Sequence, residues 1–213
     1  TDTAHLNDKA AVNTADGASN GENKNSVYLQ YSNNPRIDTS LDHTTTSEVR
    51  VYTYQLNNTK YHDEDKPGNE LEGAGFRLYS DEACNNEIKL KKNNDGTYSR
   101  DFSTGASGVE MISDNKGQFN VKGLDAGTYY LKETFAPKGY NKLSDPVKVT
   151  INATINKTTG ALESWTVNGS APTADVTVPV VKIENKKGAL LPDTGGMGTV
   201  LFTVFGVLIV ALG

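Results

Sequence analysis

The chain has 213 residues, 36% of them hydrophobic and 22% charged, with a formal net charge of -5. That length holds one domain of ordinary size plus fragments and excludes two large cores, and the acidic balance excludes a basic field that would draw nucleic acid by counterion release. A single cysteine, Cys84, excludes an intrachain disulfide, so an extracellular domain built on this chain finds covalent reinforcement elsewhere or does without.

The first periodic stretch begins at Asn25. From there to Tyr31 apolar and polar residues alternate as in a strand, and the pattern breaks at Pro35. Residues 1–35 are expected to be the terminal strand region of a preceding domain, and 36–47 a linker. Between about Glu48 and Lys187 turn signals recur at Asp65-Lys66-Pro67-Gly68, Asn94-Asp95-Gly96, Asn115-Lys116-Gly117, Asp125-Ala126-Gly127 and Pro137-Lys138-Gly139. Short strands fit between them, so 48–187 is predicted to be an all-β domain, an antiparallel sandwich burying alternate residues of each strand.

Polar residues fall on the inward parity of such strands. Tyr54, Leu56, Asn58 and Lys60 share one face; Tyr129, Leu131 and Glu133 share another; Val181, Ile183 and Asn185 share a third. A carboxyl so placed is expected to be neutral or paired, because an isolated charge is too costly in a core. A buried lysine loses its proton more readily, and the free amine is a nucleophile. A protonated Glu133 could hydrogen-bond to the Asn185 side-chain carbonyl, polarise it and shuttle the proton that ammonia needs to leave. The expected product is a Lys60–Asn185 isopeptide bond. It would close nearly the whole domain and add on the order of 4 kcal/mol. Blander alternatives stay open. Glu133 could sit on the surface of a twisted strand end, Asn185 could cap a strand, and a register slip through the polar Asn57-Asn58-Thr59 run could bring Lys66 to the site instead of Lys60.

The C-terminus changes character. Val200–Leu212 is apolar apart from Thr203 and Gly206, which is short for a full membrane span of about 20 residues. A buried core helix is the plain alternative, but Leu191-Pro192-Asp193-Thr194-Gly195 stands immediately before the run. This LPxTG pentapeptide followed by an apolar tail resembles the cell-wall sorting signal of Gram-positive surface proteins. The resemblance implies cleavage by a sortase between Thr194 and Gly195, transfer of Thr194 to an amine on peptidoglycan or on a neighbouring subunit, and transient membrane contact through 199–213. The usual basic cluster after the apolar run is missing, and the chain opens at Thr1 without a methionine or signal peptide, so a fragment of a longer secreted protein is expected.

Further segments carry a second resemblance. Leu71-Glu72-Gly73-Ala74-Gly75-Phe76-Arg77-Leu78-Tyr79, Gly123-Leu124-Asp125-Ala126-Gly127-Thr128-Tyr129-Tyr130-Leu131-Lys132-Glu133-Thr134 and Ala136-Pro137-Lys138-Gly139-Tyr140 closely resemble the CnaB-type domain of Gram-positive pilins. That family implies an immunoglobulin-like sandwich with the cross-linking lysine on the first strand, the catalytic glutamate in the E-box and the asparagine on the last strand: here Lys60, Glu133 and Asn185. The 25–35 stretch resembles the closing strand of a CnaA-like pilin domain, in which Asn25 could accept a second cross-link. A sandwich over 48–187 followed by a sorting signal and hydrophobic helix over 188–213 is the resulting expectation.

Other signals are discounted. Asp63-Glu64-Asp65 faintly resembles a calcium loop, but Pro67 replaces a ligand; His5, His43 and His62 lack metal-ligand spacing. No cofactor or metal and no turnover enzyme is expected. Three functions remain: a pilus backbone subunit, a wall-anchored adhesin or accessory pilin that could meet host surface ligands, and the stalk of an extracellular enzyme. All place the chain on the cell wall, with sortase, peptidoglycan and, for a pilin, neighbouring subunits as partners.

Overall fold

The computed structural model describes residues 10–13, 22–34, 36–37, 39 and 41–188. The sorting motif and the hydrophobic helix expected after it lie outside these residues. Among the described residues every regular element is a strand. The chain opens with β1 (Glu22–Val27), β2 (Gln30–Ser32), β3 (Leu41–His43) and β4 (Ser47–Tyr52), then passes almost without a break into β5 (Tyr54–His62). It continues through β6 (Gly75–Tyr79), β7 (Leu90–Lys92), β8 (Tyr98–Arg100), β9 (Met111–Ile112), β10 (Val121–Leu124), β11 (Gly127–Phe135), β12 (Val147–Ile155), β13 (Leu162–Val167) and β14 (Val180–Asn185).

Two five-stranded sheets form the expected sandwich, one ordered β14-β5-β10-β8-β7 and the other β13-β12-β11-β6-β9. Alternation in the sequence is what makes the core. Leu56, Phe76, Leu78, Leu131, Val149, Ile151, Val181 and Ile183 all point inward and are buried together, each stabilising the fold by about 1.5–3 kcal/mol. The Phe76 and Phe119 rings stack with centroids 4.4 Å apart at the centre.

Two pairings depart from an all-antiparallel sandwich. β10 meets β8 in parallel at Val121 and Tyr98, and the last strand, β14, lies parallel to the first strand of the domain, β5, with Val181 opposite Asn58 and Ile183 opposite Lys60. Strands so far apart in sequence are joined by a long crossover rather than a hairpin, and a crossover permits the parallel sense.

Ahead of the sandwich, β1 pairs antiparallel with β4, and β2 with β3. Residues 36–47, expected as linker, thus contain β3 and the start of β4. Val27, Leu29 and Val49 on this ribbon are exposed. Its base is tied to the loop between β12 and β13: Arg50 donates to the Thr159 carbonyl at 3.0 Å and the Tyr52 hydroxyl to the Gly160 carbonyl at 3.0 Å.

Candidate functional site

Lys60, Glu133 and Asn185 meet in the core. Period-two alternation carries Lys60 inward two residues beyond Asn58 on β5, and Asn185 inward two residues beyond Ile183 on the adjacent β14. Glu133 comes from the facing sheet, at the end of the buried run Tyr129, Leu131, Glu133 on β11. A bulge follows between Glu133 and Phe135, after which Phe135 turns out to solvent. Such bulges re-aim side chains at the ends of paired runs.

The three side chains form one hydrogen-bonded set. The Lys60 ammonium Nζ donates to Asn185 Oδ1. Asn185 Nδ2 donates to Glu133 Oε1 at 2.9 Å, and the same carboxyl oxygen is 3.4 Å from Lys60 Nζ. The other oxygen, Oε2, accepts the main-chain N–H of Leu143 at 2.7 Å. Side-chain exposure of both Lys60 and Glu133 is 0%. Glu133 therefore faces the amide nitrogen of Asn185, not the carbonyl that the sequence reading gave it, because the carbonyl is already taken by the lysine.

The backbone around Lys60 is held just as closely. Its N–H donates to the Gly117 carbonyl at 2.7 Å and its carbonyl accepts the Leu71 N–H at 2.9 Å. Gly117 has φ +70°, and a Cβ there would lie 2.2 Å from the Lys60 carbonyl oxygen, so the turn that presses on the site has room for glycine alone. Asn58 supports the same stretch: its N–H donates to Asn120 Oδ1 at 3.0 Å and its Nδ2 to the Phe119 carbonyl at 2.9 Å.

The remaining candidates lie elsewhere. Lys66 is on the surface, paired with Glu64 at 3.0 Å, so no register slip brings it inward. Asn25 is exposed on β1, opposite Val49. Leu191, Pro192, Asp193, Thr194 and Gly195 lie outside the described residues. The acids of the 63–65 turn are engaged by cations, Asp63 by Lys187 at 3.1 Å and Asp65 by Lys182. Among the described residues no cluster of three or more His, Cys, Asp or Glu side chains could hold a metal ion. Sequence reasoning missed the Leu143 amide; a main-chain donor leaves no trace in side-chain patterns.

Comparison with known proteins adds the family. The profile of SpaA, a prealbumin-like fold domain, matches residues 57–163, half of the chain and the part that holds Lys60 and Glu133. The chain belongs to the SpaA family. A second profile, the LPXTG cell wall anchor motif, matches residues 183–213, which makes this SpaA protein a wall-anchored surface protein. Two solved structures share the fold of the SpaA chain. The backbone pilin of a Streptococcus pyogenes serotype is 19% identical at a TM-score of 0.51, covering 86% of this chain and 46% of that one. A C-terminal fragment of a major pilin of Streptococcus agalactiae is 21% identical at a TM-score of 0.50, covering 82% and 56%. The pilus 2b backbone protein of group B streptococcus is 26% identical with a TM-score of 0.44, covering 72% and 50%. The SpaA chain spans about half the length of the pilins it matches. No curated protein matches it.

The SpaA core sets the protonation of its lysine. Burial pushes Lys60 down from the ordinary 10.5 to about 8, while the nearby Glu133 pulls in the opposite direction. In the unlinked chain, amine is therefore the nucleophile available near and above pH 8. If this amine goes on to bond with Asn185, the rate in newly synthesised protein, followed by intact mass, is expected to rise with pH, to be half-maximal near 8 and to level off about one unit above it. A flat rate from pH 6 to pH 9 would contradict the buried-amine account. Stability has the same sign in an unlinked Asn185→Ala variant. The unfolded chain binds the Lys60 proton more tightly than the folded chain, so stability increases between about 8 and 10.5.

Proposed function

We propose that the chain is a subunit of a sortase-assembled pilus, joined covalently through Thr194 and hardened by a self-formed isopeptide bond between Lys60 and Asn185. The observation that carries this reading is the buried, mutually hydrogen-bonded set of amine, amide and carboxyl that bridges the two sheets. Nothing in ordinary stability explains three such groups in one core, since apolar residues of similar volume would serve as well or better.

The chemistry follows from the contacts. The neutral Lys60 amine attacks Cγ of Asn185, the new C–N bond forms, and the Cγ–Nδ2 bond breaks. Of the two amine protons one stays on the new amide. Glu133 takes the other and delivers it to Nδ2, which leaves as ammonia. Because Asn185 Nδ2 already donates to Glu133 Oε1, the carboxyl stands beside the nitrogen that must be protonated. A dry site also strengthens each of these interactions. The reaction runs once per chain, so the protein is a self-modifying structural element and not a turnover enzyme.

The anchor motif supports the second covalent step. Sortase would cleave after Thr194 and pass its carbonyl to an amine on a neighbouring subunit or on peptidoglycan. Replacing Thr194 with alanine is expected to empty the wall fraction and abolish any high-mass ladder of covalent polymers, with monomer recovered in membrane and medium. A ladder that persists in the variant would overturn the assignment of Thr194. A wall fraction that empties while wild type shows only monomer would leave a wall-anchored adhesin in place of a pilin.

A further inference from the structure

The strap between β11 and β12 touches the buried site from both sides. At one end Leu143 donates its main-chain N–H to Glu133 Oε2 at 2.7 Å. A few residues earlier the strap pairs with the chain just beyond Asn185: Asn141 N–H donates to the Lys186 carbonyl at 2.9 Å, Gly188 N–H donates to the Gly139 carbonyl at 2.8 Å, and Tyr140 bridges Lys187 in antiparallel register. The Tyr140 ring also lies 5.3 Å from that of His62, which is opposite Asn185 across the β5–β14 pairing. Lys138, Gly139, Asn141 and Lys142 are exposed, so the middle of this segment is held mainly by these main-chain bonds, with Leu143 packed on the core at its end. Gly139 turns the strap at φ +92°, in the region that favours glycine.

We propose that the strap 137–143 is a positioning element for isopeptide formation: it seats over the folded sandwich, orients the Glu133 carboxyl through the Leu143 amide and fixes the Asn185 end of β14 through its pairing with 186–188. This rests on the Lys60–Asn185 reading above. The carboxyl has one oxygen for the reacting pair and one for the strap, and the second bond stops the group from rotating away from Nδ2. An acceptor of this kind gains more from a donor than a neutral one does. The strap also closes the strand end through which β14 would fray, since terminal residues open first. Leu143 and Asn141 act through other groups and touch no reacting atom themselves.

The test deletes single N–H groups and keeps every side chain. Full-length protein is made by cell-free synthesis with the α-hydroxy analogue at Leu143 or at Asn141, which replaces the amide N–H by oxygen, and with a control ester at the exposed Lys157. Intact mass is followed over time, with folding monitored by circular dichroism. Loss of ammonia in the wild-type chain and in the Lys157 control at equal rates, with a rate lower by on the order of tenfold for the two strap esters at unchanged folding, is the expected result. Thermal melting of the same esters in an Asn185→Ala background separates positioning from stability, because positioning predicts a slower reaction without a matching loss of melting temperature. Strap esters that cross-link as fast as wild type overturn the inference while leaving the isopeptide reading intact. A wild-type chain that never loses ammonia overturns that reading instead.

Discussion

Replacing Glu133 with alanine or glutamine is expected to leave the folded chain at its full sequence mass, without the loss of one ammonia expected of wild type, and markedly less stable. The proposed cross-link joins residues 125 positions apart, and constraining an unfolded loop of that length stabilises by about 5 kcal/mol in the chain-entropy model. For a domain of this size that corresponds to a fall in melting temperature of about 15 °C. Glutamine is the sharper variant. It keeps a hydrogen-bonding group beside Leu143 and Asn185 but cannot carry a proton between the two nitrogens. Intact mass, a search for the Lys60–Asn185 cross-linked peptide after digestion, and melting of both proteins decide the matter. Loss of one ammonia from Glu133→Gln as from wild type would remove the carboxyl from the chemistry.

The second large effect concerns Lys60. A Lys60→Met chain loses the cross-link and also strands the Glu133 carboxyl in the core without its cation, so it is expected to be less stable than Glu133→Gln, by about 3–5 kcal/mol. Adding Glu133→Leu to Lys60→Met should restore that increment, because an apolar pair of similar volume satisfies the core where a lone buried acid does not. The double variant then differs from wild type by little more than the missing bond. Denaturant titration of the three proteins at one pH measures this cycle. If the double variant is no more stable than Lys60→Met, Glu133 is not suffering the loss of its partner, and the two side chains are energetically independent.

The site was legible because period two is strict. Glu133 and Asn185 each continue an apolar run at the parity that faces the core, where a polar residue is conspicuous in the sequence alone; Lys60 follows Asn58 on the same face and was less plain, since a register slip to Lys66 stayed open. Turn residues delimited the sandwich in the same way, Gly117 and Gly139 standing where the backbone needs a positive φ. Strand direction was not legible. Alternation is the same for parallel and antiparallel neighbours, so the parallel seating of β14 on β5 had no signature. Nor did the orientation of the Asn185 amide, which is set by Lys60 donating to its oxygen and Glu133 accepting from its nitrogen. The strap's contribution was hidden for a related reason: Leu143 reads as an apolar residue packing on the core, which it also is, while its part in the site belongs to the main chain.

The parallel register of β5 and β14 also decides how the domain takes tension. Strands that run the same way have the start of one and the end of the other at opposite poles, so a pull on the two chain ends drags β5 and β14 past each other lengthwise. Their ladder hydrogen bonds then share the load together, whereas an antiparallel pair gripped at one pole would peel open one rung at a time. With Lys60 and Asn185 joined as proposed, force entering beyond Asn185 would pass sideways into β5 and out through β4. The residues from 61 to 184 form a closed loop off that line, and the sandwich can lose its packing and regain it without the molecule growing longer.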